Sequence, residues 1–150
     1  MWQQPKDLSP RLPEHGFEHP LLERYFESQK PDLARLPREL REVVSCIHSC
    51  LFETGLTVKI VRDRCRIRDN NISSRFRRAL GQGMKSYIDR HRMAAAESLL
   101  CGSDLAIFDV AMAVGYSHVE TFYQVFHRHY ACTPGRYRHK VQRSSSATDG

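Results

Sequence analysis

The side chains best suited to chemistry in this chain cluster near its C-terminal end. Between Val119 and Tyr130, Phe122, Phe126 and Tyr130 recur every four residues and form the apolar stripe of a helix. Val119, Glu120, Tyr123, Gln124, His127 and Arg128 fall on its other faces. A row of amide, carboxylate and guanidinium groups on one helix can read base edges in a DNA major groove. Catalysis is a weaker reading. His118, His127 and His129 stand beside no matched acid or nucleophile, so the chain is not expected to be an enzyme. Cys46 and Cys50 are four apart and share a helical face, where a thiolate pair can hold a metal or answer oxidation. His48 lies about 200° from Cys46 around that helix and cannot join both sulfurs on one ion. No metal and no cofactor are expected. The five cysteines (Cys46, Cys50, Cys65, Cys101, Cys132) are odd in number and scattered, and are read as small hydrophobes kept reduced.

The elements that would position these groups are helical throughout. Ile107, Val110, Ala111 and Val114 predict a helix over Leu105–Val114, stopped by Gly115. Ser117 follows as N-cap of the next helix, with Glu120 completing a capping box. Two short helices joined through a glycine turn form a helix-turn-helix; an αα-hairpin that only packs a core is the plain alternative. Upstream, Thr57 caps a helix with Val58, Ile60, Val61 and Cys65 as its apolar set. A turn near Arg66–Arg68 leads to a helix over Asn70–Leu80, with Ile72 and Phe76 inward and Gly81 closing it. Met84–Leu100 reads as one long helix, broken and re-capped by Gly102-Ser103-Asp104. Residues 1–17 read as a flexible arm and 18–55 as a helical extension, with helices near Pro20–Gln29 and Arg38–Thr54, the latter closed by Gly55. A closing helix is expected over 134–142, and 144–150 reads as a disordered polar tail.

The net charge of +6 is unevenly spread. Leu56 to Arg143 holds 16 Lys/Arg against 7 Asp/Glu, a balance of +9, whereas residues 1–55 hold 7 against 9, a balance of −2. A basic domain behind a mildly acidic extension calls for a polyanionic partner, nucleic acid first of all. Arg75, Arg78, Arg128, Arg136 and Arg138 are candidate phosphate clamps, fixing register without reading sequence. No apolar run approaches the ~20 residues needed to cross a bilayer, so no membrane partner is expected. The N-terminal residues show no basic-then-apolar signal layout, so a cytoplasmic protein is expected, nucleoid-associated through its DNA partner.

The wording of residues 104–138 carries more than its pattern. Ala111, Gly115, Tyr116, Ser117, Phe122, Phe126, Tyr130, Thr133, Pro134, Tyr137 and Arg138 stand where the AraC/XylS family of bacterial transcription regulators has its second helix-turn-helix. The chain resembles that family over about Leu56–Arg138. Its first unit matches less closely, because Arg62 replaces a small residue and Arg66 replaces the glycine of the turn. The resemblance implies an all-α fold: two helix-turn-helix units (about 56–81 and 104–130) joined by a long linker helix (about 84–100) in a DNA-binding domain spanning 56–143. It further implies Asn70, Ser73, Ser74 and Arg77 as base-reading positions in the first unit, and Val119, Glu120 and Gln124 in the second. Ser117 and His118 would lie near the DNA backbone. Double-stranded DNA and RNA polymerase are the implied partners. The helices of residues 18–55 either join a second copy as a homodimer contact or cover the domain, and burial of their apolar stripe separates the two. The rival is a protein-interaction module built on a degraded scaffold of the same kind.

Overall fold

The computed structural model describes residues 19–29 and 31–148, so the arm expected over 1–17 lies outside the described residues. The described residues form eight helices and no strand: α1 (Pro20–Ser28), α2 (Arg38–Ser49), α3 (Val58–Arg64), α4 (Ile72–Leu80), α5 (Met84–Gly102), α6 (Ile107–Ala113), α7 (Val119–Tyr130) and α8 (Pro134–Thr148).

The sequence makes α5 the spine. Met84, Tyr87, Ile88, Met93, Ala95, Ala96, Leu99 and Leu100 are all buried, which wraps apolar surface most of the way around the helix. A helix apolar on nearly every side needs neighbours on every side. Accordingly, α1, α4, α6, α7 and α8 all pack on α5. The first helix-turn-helix is α3–α4, braced from behind by α2, whose Leu40, Val43, Val44 and Ile47 are buried. The second is α6–α7, backed by α8. Each fully buried aliphatic or aromatic side chain of this core contributes roughly 1.5–3 kcal/mol.

The two inter-helix turns are built alike. After α3 the Ile67 amide donates to the Arg62 carbonyl (2.9 Å) and the Arg66 amide to Asp63 (3.2 Å). After α6 the Tyr116 amide donates to Ala111 (3.0 Å) and the Gly115 amide to Met112 (3.1 Å). Both are Schellman closures, which need a left-handed residue just past the helix end. Arg66 (φ 51°) and Gly115 (φ 100°) supply it, so Arg66 takes the backbone conformation of the glycine it replaces.

Several expectations are corrected. Helix α2 stops at Ser49, and residues 50–57 make turns, so Gly55 (φ 80°) serves a turn rather than a helix end. Cys46 pairs not with Cys50 but with Cys65, in a disulfide that joins α2 to the end of α3. Cys50 is turned inward, its thiol donating to the Cys46 carbonyl at 3.0 Å. The cysteines are therefore not all isolated small hydrophobes. Helix α8 continues to Thr148, so 144–148 is no disordered tail. The hydroxyls of Ser144, Ser145 and Ser146 satisfy carbonyls four residues back at 2.9–3.1 Å and let the serine run stay helical. Of the two roles open to residues 18–55, the described apolar side chains of α1 and α2 take the covering one. Leu22 and Tyr25 are buried within the chain, as are the α2 residues, and a Cβ added at Gly102 of α5 would strike Leu21 of α1 at 2.7 Å.

Candidate nucleic-acid interface

Helix α7 presents the outward face its spacing predicts. Phe122 and Phe126 are fully buried, and Phe126 stacks on Tyr130 with ring centroids 4.5 Å apart. Tyr137 of α8 closes the stack edge-on against Phe126 at 5.6 Å. This inward anchoring leaves Glu120, Thr121, Tyr123, Gln124, His127 and Arg128 exposed. Val119 is half-buried against the core, with part of its surface outward. The N-cap is His118, one residue later than expected, and no side chain caps the helix there. The Ser117–Glu120 capping box is not made, because Ser117 stands one position too early. Ser117 and His118 are both exposed where the chain enters α7.

Helix α4 also starts later than expected, at Ile72, which leaves Asn70 exposed in the turn before it. The cause is Asp69: its carboxylate accepts from the Asn71 amide at 2.8 Å and its carbonyl accepts from the Ile72 amide at 3.3 Å, holding the preceding residues in a turn. Ser73, Ser74, Arg77 and Arg78 are exposed. Arg75, expected as a phosphate clamp, is engaged by carboxylates of the chain itself. Its guanidinium pairs with Asp69 at 2.9 Å and with Glu39 of α2, and these partners raise its pKa. Arg138 is likewise turned inward, its Nε donating to the Leu100 carbonyl at 3.1 Å and its Nη2 shut off from solvent. Both guanidiniums are thus engaged within the chain, Arg75 by carboxylates and Arg138 through Nε alone. Arg136 is exposed on α8.

Between the two units lies an open cleft of about 600 Å³. Lys59 from α3, Lys85 from α5, and Gln124 and Arg128 from α7 line it, with Asp89 as its acidic member. Lys59 and Lys85 went unmarked in the sequence. Nothing local separates them from other surface lysines, and only the fold brings them beside α7.

A buried guanidinium holds the frame of this cleft. Arg92 of α5 is 5% exposed and donates through Nε to the Leu51 carbonyl (2.8 Å), through Nη2 to Glu53 (2.9 Å) and through Nη1 to Gly115 (3.2 Å). It also lies over the Tyr116 ring at 5.2 Å, while the Tyr116 hydroxyl donates to Asp89 at 2.8 Å. Burial lowers the Arg92 pKa and raises that of Tyr116, so the Tyr116 hydroxyl keeps its proton and donates it to Asp89. A second anchor joins α5 to α7 and α8: Glu97 accepts from the hydroxyls of Tyr130 (3.1 Å) and Tyr137. Among the described residues no group of three His, Cys, Asp or Glu side chains is placed to hold a metal ion. No described helix is long and apolar enough to cross a membrane.

Two exposed second helices on one spine, each behind a Schellman turn, define a paired helix-turn-helix domain. The family described as "Helix-turn-helix domain" matches residues 63–140, and the chain belongs to it, as an AraC/XylS-type DNA-binding domain. It is similar to the regulatory protein PocR of Salmonella typhimurium (36% identical over 73 residues, 49% of this chain and 24% of that protein). It is also similar to the xylose operon regulatory protein of Escherichia coli K12 (32% over 91 residues, 61% of this chain and 22% of that protein). SoxS of the same strain is 38% identical over 66 residues, 44% of this chain and 62% of that protein. The chain thus spans about a quarter of the first two relatives and under two thirds of the third. Among solved structures, the C-terminal domain of the response regulator AraT from Geobacillus stearothermophilus shares the fold at TM-score 0.67, with 24% identity over 71% of this chain and 88% of that one. The DNA-binding domain of AdpA, solved with a target DNA, shares it at 0.65, with 24% identity over 72% and 96%.

Proposed function

We propose that this chain is a sequence-specific transcription regulator in which residues 56–143 set α4 and α7 into successive major grooves, about 34 Å apart on one DNA face. The observation that supports it most is the cleft between the units, where Gln124 and Arg128 of the second reading helix stand with Lys59 and Lys85. In this reading Ser73, Ser74 and Arg77 of α4, with Asn70 in the turn ahead of it, meet bases in the first groove. Gln124 pairs bidentately with adenine, Glu120 accepts from a cytosine amino group and Val119 meets a thymine methyl. Lys59, Lys85, Arg78, Arg128 and Arg136, helped by Ser117 and His118, hold phosphates. A regulator of this kind works in the cytoplasm at the nucleoid and passes its signal to RNA polymerase.

Selection of bound sequences from a random DNA pool tests the reading, followed by a salt titration on the winner. A bipartite site with half-sites about one helical turn apart is the expected result. Gln124→Ala should then lose about 1–3 kcal/mol at one base pair. Arg78→Ala should weaken every sequence alike and reduce the salt slope by about one. Absence of enrichment, with binding that only fades with salt, would favour an interaction module instead.

A further inference from the structure

We propose that Cys46 and Cys65 form a reversible redox pair that controls whether the first reading unit is ordered, an inference that rests on the two-groove reading above. The two residues lie on different elements, their Cα atoms 6.5 Å apart, within the span a disulfide bridges without moving the backbone. Both are half-buried, so an oxidant or a reductant reaches them, whereas Cys50 and Cys132 are buried. Cys50 is further excluded because burial raises its pKa and its thiol is engaged with the Cys46 carbonyl. The position of the bond gives it its effect. Cys65 is the C-cap of α3, and Arg66, held left-handed at φ 51°, comes next. A non-glycine residue there is strained. The covalent tie to α2 fixes the strained turn, and with it the start of α4, from the outside. No such bond accompanies Gly115 in the second unit.

The chemistry is thiol–disulfide exchange with a low-molecular-weight disulfide. One cysteine thiolate attacks a sulfur of the oxidant and displaces one thiol as a mixed disulfide forms. The other cysteine thiolate then displaces the second thiol and closes Cys46–Cys65. Two protein thiols and one small disulfide become one protein disulfide and two small thiols. A dithiol reductant reverses it. In a reducing compartment the dithiol is the resting form, and the bond marks an oxidative episode.

The experiment compares the full chain equilibrated with oxidised glutathione and with dithiothreitol. The probes are the selected bipartite DNA and a DNA carrying only the half-site of α7. The oxidised chain should bind the bipartite probe about tenfold more tightly, which is about 1.4 kcal/mol, with no change on the single half-site. Arg66→Gly, which relieves the turn, should bring the reduced chain close to the oxidised one. Amide hydrogen exchange over residues 65–72 reads the turn without DNA, and should be faster in the reduced chain while α7 is unchanged. Thiols at Cys46 and Cys65 that stay free in oxidised glutathione would overturn the proposal. So would equal exchange over 65–72 in the two states, or a redox effect of equal size on both probes. Failure to select any DNA site would count against the proposed function alone, since the exchange measurement still decides the switch.

Discussion

The two reading units solve the same geometric problem with glycine in opposite places. In the first, the turn residue is Arg66 (φ 51°) and the residue that ends the reading helix is Gly81 (φ 77°). In the second the turn residue is Gly115 (φ 100°) and the ending residue is Ala131 (φ 57°). All four positions are left-handed, so backbone angle alone does not decide where glycine stands. Space does. A Cβ at Gly115 would lie 2.8 Å from the Arg92 guanidinium and 2.9 Å from the Phe52 carbonyl, whereas one at Gly81 would meet nothing within 4 Å. Strain of about 1 kcal/mol is tolerable at an open site. The displacement of a buried cation is not. The first unit is instead held from outside, by the Cys46–Cys65 bond, by the Arg64–Glu53 pair (2.8 Å) and by the Arg75 pairs to Glu39 and Asp69. The second is held by shape.

The largest effect that tests this contrast is Gly115→Ala, which should remove about 3–5 kcal/mol of stability in urea unfolding, combining strain with broken hydrogen bonds at Arg92. Gly81→Ala should cost only about 1 kcal/mol. Equal losses at the two sites would break the contrast. Next in size is acidification, which should strike the first unit. The Tyr87 hydroxyl lies 2.6 Å from His48 Nε2, and the Tyr87 ring sits edge-on to Phe76 of α4 at 5.5 Å. His91 lies 2.6 Å from the Tyr25 hydroxyl. Burial lowers His48 to about 4, helped by His91, and lowers His91 as well, helped by Arg90. The unfolded chain therefore binds protons that the folded chain resists. Stability is complete above the ordinary histidine value and falls as pH drops from about 6.5 toward 4, by roughly 2 kcal/mol. Denaturant midpoints measured across that range check it, and His48→Gln should flatten the slope. The smallest effects are gains. Arg66→Gly in the reduced chain and Ala131→Gly should each stabilise by about 0.5–1 kcal/mol, read as a higher urea midpoint. Were Arg66→Gly to destabilise, the turn at residue 66 would not be strained and the contrast would need another basis.

What the sequence disclosed follows the range of the interactions. The Phe122–Phe126–Tyr130 stripe, the stop at Gly115 and the Thr57 cap (its Oγ1 accepts from the Ile60 amide at 3.2 Å) are set by neighbours within four residues, and all could be read directly. The Cys46–Cys65 pairing spans 19 residues between separate helices, and local spacing pointed to Cys50 instead. The roles of arginines were the least visible. Arg75, Arg78, Arg92 and Arg138 are identical as letters, but acceptors placed by tertiary packing bury one, turn one inward, pair one and leave one in solvent. Boundaries failed where a side chain competed with the helix, as Asp69 does ahead of α4.

Arg92 has a consequence for how the chain unfolds. One guanidinium serves carbonyls at residues 51 and 53, ahead of the first unit, and at 115, in the turn of the second. Opening residues 51–53 or the turn at 115 strands a buried charge against the other, so these two regions separate only together, whereas residues 65–72 lie outside the tie and can loosen locally. The chain should therefore denature as a single cooperative body, with calorimetric and van't Hoff enthalpies in agreement, although its outline shows two units side by side.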